Sequence, residues 1–311
     1  MRETLLVGSR KSTLARAQAA RVARRVASAW PELDVRSIWM DTEGDRRRDV
    51  PLPEIGGKGL FTAELEAALL AGEIDIAVHS LKDLPTDLPR GLGLLAVPER
   101  EDPRDVLVSP GGTNLARLKE GARVGTSSLR RRALLLNARP DCDVCDVRGN
   151  VGTRLAKLER GEFDALLLAA AGVHRLGAMS EAMYPLETPA WLPAPGQGAL
   201  GLEGRVDDER VHGLLDAIED RRARLETDCE RALLAALGGG CQVPVGALAR
   251  LEGDGLSLHA VVLSGDGRTA IRASTRGPSG DPIGLGGLVA DELRERGAGD
   301  LLRDVGDAPA G

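Results

Sequence analysis

The sequence predicts an α/β protein built from more than one domain. Short apolar runs that read as strands alternate with stretches of helical periodicity through most of the chain, which argues against an all-α bundle or a β-sandwich. At 311 residues the chain exceeds what one hydrophobic core usually organises, so two or three domains are expected. Hydrophobic residues at 42% and charged residues at 28% describe an ordinary soluble globular chain.

The elements follow in order. Thr4 to Gly8 reads as a strand, and Ser12 to Trp30 as a helix with the apolar stripe Ala15-Ala19-Val22-Val26. Val35 to Met40 is a strand, Asp41 to Gly59 a loop rich in charge, Gly and Pro, and Leu60 to Ala71 a helix. Strands follow at Ile74 to Val78 and Leu92 to Val97, and the charged, Pro103-bearing stretch from Glu99 to Arg104 reads as a hinge. A second βα series covers Val106 to Val108, Ala122 to Gly125, Val144 to Val147 and Ala165 to Ala169. Pro185, Pro189, Pro193 and Pro195 make Pro185 to Gly198 an irregular return crossing, and Ala199 to Leu202 a strand returning toward the first sheet. Asp207 to Leu237 is helical until Gly238-Gly239-Gly240 stops it. Strands at Val245 to Leu251, Ser257 to Leu263 and Thr269 to Thr275, then a helix from Ile283 to Arg296, complete the chain before a tail expected to fray from Gly306. The hinges place domain boundaries at 1–99 with 199–217, at 100–198 and at 218–311.

Composition narrows the function. A net charge of −6 and only 2% aromatic residues argue against a nucleic-acid binder, which needs basic surface or stacking platforms. The longest apolar run, Ala165 to Val173, is far short of a membrane span, and Met1-Arg2-Glu3-Thr4 lacks the apolar core of a signal peptide. A cytoplasmic, reducing location is therefore expected, with the cysteines as thiols, no membrane partner and no metal. Cys142 and Cys145 have C-x-x-C spacing, but residues three apart on a strand face opposite ways and no second ligand pair exists. Cys229 falls on the stripe Leu225-Cys229-Ala232-Ala236 and reads as core filler.

Two arginine-bearing turns are the most informative feature. Gly125-Thr126-Ser127-Ser128-Leu129-Arg130-Arg131-Arg132 and Arg148-Gly149-Asn150-Val151-Gly152-Thr153-Arg154 each follow a strand and open a helical run. Helix-start N–H groups, hydroxyls and guanidinium forks then converge, an arrangement that binds carboxylates or phosphates where open α/β sheets place ligands. A solvated basic face is the plainer alternative. Val78 to Pro85 leaves the end of a buried strand, and Pro85 forces Leu84 out of helical geometry, so Asp83 belongs to a turn. With Lys82 beside it, Asp83 would stay ionised and could stabilise a cation or pass protons, unless it only caps the turn. Ser9-Arg10-Lys11-Ser12 offers a third anion-binding corner, and Gly56-Gly57-Lys58-Gly59 a mobile cation without Walker spacing. Gly238-Gly239-Gly240-Cys241 sets a thiol on a loop with little steric cover, which suits a nucleophile better than a buried apolar Cys.

Together these stretches closely resemble the porphobilinogen deaminase (hydroxymethylbilane synthase) family from Gly8 to about Arg303. The specific signatures are His79-Ser80-Leu81-Lys82-Asp83-Leu84-Pro85, Gly125 to Arg131, Arg148 to Arg154, Leu192-Pro193-Ala194-Pro195-Gly196-Gln197-Gly198-Ala199 and Gly239-Gly240-Cys241-Gln242-Val243-Pro244. The resemblance implies three α/β domains, two of them similar to periplasmic binding proteins around a cleft and a third carrying the cofactor cysteine. It implies a transferase that joins four porphobilinogen units head to tail, with loss of ammonia, on a dipyrromethane cofactor, and releases hydroxymethylbilane by hydrolysis. That cofactor would be held by a thioether to Cys241, and a monomer is expected.

The resemblance also assigns residues. Asp83 is the essential aspartate. Lys82, Asp83, Thr126, Ser128, Arg130, Arg131, Arg148, Gly149 and Arg154 would hold the cofactor. Arg10, Ser12, Lys58, Phe61, Ser127, Arg148, Arg154, Arg175 and Gln197 would bind substrate. Each added ring brings an acetate and a propionate, which would explain arginine clusters in a net-acidic protein. Glu54 and Ala63 depart from the pattern, since family members often carry Lys there. The rival readings are a non-catalytic anion-binding protein, which leaves Asp83 and the Gly-Gly-Gly-Cys loop without purpose, and a thiol acyl transferase, which needs a base beside Cys241.

Overall fold

The computed structural model describes residues 3–42, 44, 62–238 and 243–307. Its chain divides into two compact units, Met1–Glu101 with Gly198–Arg224, and Asp102–Gln197 with Leu225–Gly311.

The first unit is built on a sheet of β1 (Thr4–Arg10), β2 (Asp34–Met40), β3 (Ile76–Ser80), β4 (Leu92–Ala96) and β10 (Leu200–Arg205), in the order β2-β1-β3-β10-β4. β1 runs parallel to β2 and β3, while β10 lies antiparallel between β3 and β4. The helix Thr13–Ala29 follows β1, and its predicted stripe Ala15, Ala19, Val22 and Val26 is buried. The expected return of the strand after Gly198 is thus present as β10. β3 lies two residues later than its apolar run suggests, because Asp75 is occupied elsewhere: its carboxylate accepts from Leu6 N–H at 2.7 Å. His79 and Ser80 therefore belong to the strand itself.

The second unit holds two sheets. One contains β5 (Asp105–Val108), β6 (Arg123–Gly125), β7 (Asp143–Cys145), β8 (Ala165–Ala169) and β9 (Met183–Pro185), in the order β7-β6-β8-β5-β9. β6 is parallel to β7 and β8, and β5 is antiparallel to β8 and β9. The five-stranded sheets thus share one plan: three parallel strands side by side, of which the middle one comes first in the chain, then an antiparallel strand and an outer strand. In each, the carboxyl ends of three parallel strands point the same way, which collects their turns at one edge. The third sheet is the antiparallel meander β11 (Val245–Glu252), β12 (Gly255–Leu263) and β13 (Ala270–Pro278), packed by the helices Arg221–Ala236, Pro282–Glu295 and Ala298–Asp307. Leu248, Val261 and Leu263 of this sheet share a core with Leu134, Leu135 and Trp191.

Three expectations are corrected. The single helix read over Asp207 to Leu237 is two, Glu209–Asp216 and Arg221–Ala236, because the Asp220 side chain caps a new start by accepting from Ala223 N–H at 2.8 Å. β9 breaks the irregular crossing at its start. A further helix that the sequence reading lacked, Ala298–Asp307, follows Arg296, with Ala298, Leu301 and Leu302 packed on the third core; Gly297, at φ +92°, disguises its start as a break, and most of the tail from Gly306 lies outside the described residues.

The cysteines behave as their positions require. Cys142 is buried in one core while Cys145 packs toward another, on opposite faces of the sheet. Burial, with Glu230 and Asp228 adding to it, pushes the Cys229 thiol up to about 12, so it stays protonated and inert. Gly286 sits where the helix Pro282–Glu295 presses on Arg221–Ala236: an added Cβ would lie 2.6 Å from the Cys229 carbonyl oxygen and 2.8 Å from Leu233 N. Gly286→Ala is therefore expected to lower stability by about 1–3 kcal/mol, read as a shift of the urea midpoint at constant slope. An unchanged midpoint would mean that these helices separate without cost.

Candidate functional site

In the second unit, the turns after β6 and β7 are laced together before any ligand arrives. Thr126 N–H donates to the Cys145 carbonyl at 2.9 Å. Ser127 Oγ donates to the Val147 carbonyl at 2.7 Å and accepts from Val147 N–H at 3.2 Å. Ser127, expected to donate to a ligand, thus holds one turn against the other. Ser128 caps the helix Leu129–Ala138, accepting from Arg131 N–H at 3.4 Å, and Thr126 Oγ1 accepts from Ser128 N–H at 3.2 Å. A capping hydroxyl uses a lone pair and keeps its own O–H to donate.

After β7 the chain turns at Gly149, whose φ of +108° and Cβ-to-Thr153 approach of 2.7 Å exclude a side chain. Asn150 then caps the helix Val151–Glu159, accepting from Thr153 N–H at 2.8 Å. Arg154 Nε donates to the Gly149 carbonyl at 2.8 Å, which folds the guanidinium back over the turn. Burial, with the charges of Arg131 and Arg148 adding to it, pulls Arg154 down to about 10. No described carboxylate forms an ion pair with Arg148 or Arg154. Among the described residues Arg148 and Arg154 thus have no acid paired with them, while Arg131, itself paired with Asp105, adds its charge to the cost of charging Arg154.

Arg130 and Arg131 occupy a different setting from the one their sequence suggests. They are buried, at 4% and 6% exposure, on the inward face of the helix Leu129–Ala138. The cause is Asp105, wholly buried at the start of β5. It accepts from Arg130 Nη1 (2.8 Å), Arg131 Nε and Nη2 (3.0 and 2.8 Å), Trp191 Nε1 (2.8 Å) and Gln197 Nε2 (2.8 Å). Burial alone would push the Asp105 carboxyl up, but the charges and hydrogen bonds of Arg130 and Arg131 hold it well below the carboxylate range. Asp105 escaped the sequence reading because it adjoins a charged hinge; an acid next to the buried run Val106 to Val108 was the available signal. Arg132 points outward and is exposed. Arg175 is half-buried on the short helix Ala170–Arg175 that follows β8.

In the first unit, β1 ends at the half-buried Arg10, and Ser12 caps the next helix, accepting from Ala15 N–H at 3.3 Å. Lys11 pairs with Asp41 at 2.5 Å, so it is a surface ion pair rather than a waiting cation. β3 ends at Ser80, whose Oγ accepts from the buried Gln18 Nε2 at 2.8 Å. The chain then makes one 3₁₀ turn, Leu81–Asp83, and leaves it at Leu84 with an extended ψ of 124°, as the following Pro85 demands. Lys82 is half-buried and Asp83 exposed on that turn. On β3 before it, His79 Nε2 lies 3.0 Å from Glu203 Oε2, both almost fully buried, without the alignment of a hydrogen bond. Burial pushes nearby Glu66 up, with Glu203 adding to the rise and the Thr62 hydrogen bond and His79 opposing it.

Lys58, Phe61 and Cys241 lie outside the described residues, as do Glu54 and the loop Gly239 to Gln242. Among the described residues no group of His, Cys, Asp and Glu could hold a metal ion, and no helix is long and apolar enough to cross a membrane.

Comparison with known proteins gives consistent matches. The family model "porphobilinogen deaminase, dipyromethane cofactor binding domain" matches residues 5–213, and "porphobilinogen deaminase, C-terminal domain" matches 224–295. A porphobilinogen deaminase of Roseiflexus sp. is 51% identical over 302 residues, covering 97% of this chain and 99% of the relative. One from Moorella thermoacetica is 52% identical over 299 residues, 96% of both chains. Among solved structures, a probable amino-acid ABC transporter extracellular-binding protein from Bacillus subtilis matches 70% of this chain and 90% of its own, at 12% identity and a TM-score of 0.44, a loose likeness that says nothing of ligand.

The arginine cluster makes a prediction of opposite signs. Since the folded-state value of Arg154 lies below its unfolded value, the unfolded chain binds more protons between the two. Arg154 therefore carries a folding penalty at neutral pH that lifts as pH rises through about 10. Without bound anion, Arg154→Met should gain on the order of 1 kcal/mol, discounted for partial exposure, or roughly 2 °C in Tm. Added citrate should then raise the Tm of the wild type more than that of the variant. A variant that melts lower in anion-free buffer would refute the strained-cation account.

Proposed function

The chain belongs to the porphobilinogen deaminase family, and from that premise we propose how its residues divide the work. The reaction joins four porphobilinogen units head to tail with loss of ammonia, on a dipyrromethane cofactor, and releases hydroxymethylbilane by hydrolysis. That assignment sets aside the non-catalytic anion-binding alternative. When bound, the cofactor supplies the pyrrole carbon to which the first substrate unit is joined.

The observation that carries the reading is Arg154, strained by Arg131 and Arg148 with no described carboxylate to relieve it. Each pyrrole ring presents an acetate and a propionate, so cofactor and growing chain supply the missing anions. In this proposal Arg131, Arg148 and Arg154 hold those carboxylates, with Ser128 and Thr126 shaping the turn around them. Arg130 contributes charge from behind, because Asp105 and the Leu192 carbonyl engage its Nη1. Arg10, Ser12 and Lys82 of the first unit hold substrate carboxylates, and Lys58, Phe61, Arg175 and Gln197 complete the substrate-binding set. Asp83, exposed on its turn, accepts pyrrole N–H donors and offsets positive charge as ammonia departs. Cys241 holds the cofactor by a thioether. The division into three domains around the three sheets, residence in the cytoplasm and a monomeric state belong to the same proposal.

Protein from cells with normal tetrapyrrole synthesis should carry the added mass of two pyrrole units on the peptide containing Cys241. An unmodified Cys241 peptide would remove the attachment assignment. Asp83→Ala should load normally, stay folded and lose product formation. If it retains more than about a tenth of the wild-type rate, an effect under about 1.4 kcal/mol, Asp83 is only a turn residue.

A further inference from the structure

We propose that Asp105 is a positioning residue for cofactor loading: it fixes the direction of the Arg131 guanidinium and thereby shapes the receptor formed with Arg148 and Arg154. The inference rests on the proposed function but concerns a residue that never touches the ligand.

The geometry is over-determined. Asp105 Oδ1 accepts from Arg131 Nε at 3.0 Å, Arg131 Nη2 at 2.8 Å and Gln197 Nε2 at 2.8 Å. Its Oδ2 accepts from Arg130 Nη1 and Trp191 Nε1, each at 2.8 Å. A carboxylate offers about four lone-pair sites, so these donors leave it no freedom to turn. Arg131 is held at two more points, by the Leu167 carbonyl at 3.1 Å and Gln197 Oε1 at 3.4 Å. Gln197 is itself anchored to the Pro103 carbonyl at 2.7 Å. Arg131 is one of the two charges felt by Arg154, so the orientation imposed by Asp105 reaches the open arginines through a single side chain.

A plain counter-ion would act in the opposite direction. Two buried guanidiniums face one carboxylate, an excess of positive charge that favours an anionic ligand. If Asp105 served only to neutralise, Asp105→Asn would raise the positive potential and strengthen loading. If Asp105 aims Arg131, the same substitution weakens loading despite the gain in field, because a guanidinium released from Asp105 misdirects both its charge and the Nη1 donor that its protein partners leave over. The two roles therefore predict opposite signs.

The test is the fraction of full-length protein carrying the cofactor mass, read by intact mass spectrometry and so independent of turnover. The melting temperature is recorded alongside. The expected result is a loaded fraction at least about tenfold below wild type for Asp105→Asn, the scale of a misplaced binding group. Loading equal to or above wild type would overturn the inference. If Asp105→Asn does not fold, Arg130→Met and Asp105→Asn/Arg130→Met decide, since the double variant restores the buried charge excess of the wild type. Positioning predicts that the double variant loads less than Arg130→Met, and a counter-ion role predicts that it loads more. A wild type without added mass would overturn the proposed function together with this inference, whereas equal loading of wild type and Asp105→Asn overturns this inference alone.

Discussion

A carboxylate sealed from water at the start of β5 organises the second unit. An acid at full burial loses its hydration, a cost of several kcal/mol, and survives only where charge and hydrogen bonds replace what water supplied. Asp105 obtains both from Arg130 and Arg131, and further donors from Trp191 and Gln197. These partners come from the helix Leu129–Ala138 and from the stretch that leads out of the unit at Gln197. One side chain thus ties the helix that opens the arginine-bearing turn to the strand beside it and to the crossing. Removing it would leave two buried cations uncompensated, a loss of about 3–5 kcal/mol.

That constraint separates arginines of identical chemistry into different roles. Arg130 and Arg131 lie inward, where a carboxylate matches them. Arg148 and Arg154 follow the next strand, where hydroxyl and amide caps replace acids and the guanidiniums are left with carbonyl partners or none. At this edge the charges of Arg131 and Arg148 add to the cost of charging the half-buried Arg154.

The first unit repeats the logic on a smaller scale. Its sheet has the same strand plan, and its turns again collect at the carboxyl ends of parallel strands. A buried pair, His79 and Glu203, lies close enough to Glu66 of the helix Ala63–Leu70 to act on its charge, on the strands β3 and β10, the first of which leads into the turn that presents Asp83. Pro85 ends that turn after one residue of slack, so Asp83 is held at the surface by backbone geometry instead of by a partner.

Much of this was legible in the chain itself, for a local reason. Apolar spacing located the helix Thr13–Ala29 and the strands β1, β5 and β8, because burial of one face or of both imposes a period that survives in the residue order. The turn chemistry of Thr126-Ser127-Ser128, Gly149-Asn150 and Asp83-Leu84-Pro85 was equally readable, since capping and proline geometry act over a few residues. Ordered motifs identified the family. What the order of residues could not express was partnership across distance. That Ser127 holds Val147, that Arg130 and Arg131 face inward, and that His79 meets Glu203 depend on which strands lie side by side. The strand order and the helix split at Asp220 were decided in the same way, by contacts between segments far apart in sequence. Residue order put guanidiniums at these turns; only the tertiary structure, by burying one carboxylate against Arg130 and Arg131, decided which of them are engaged in holding the fold and which have no carboxylate among the described residues.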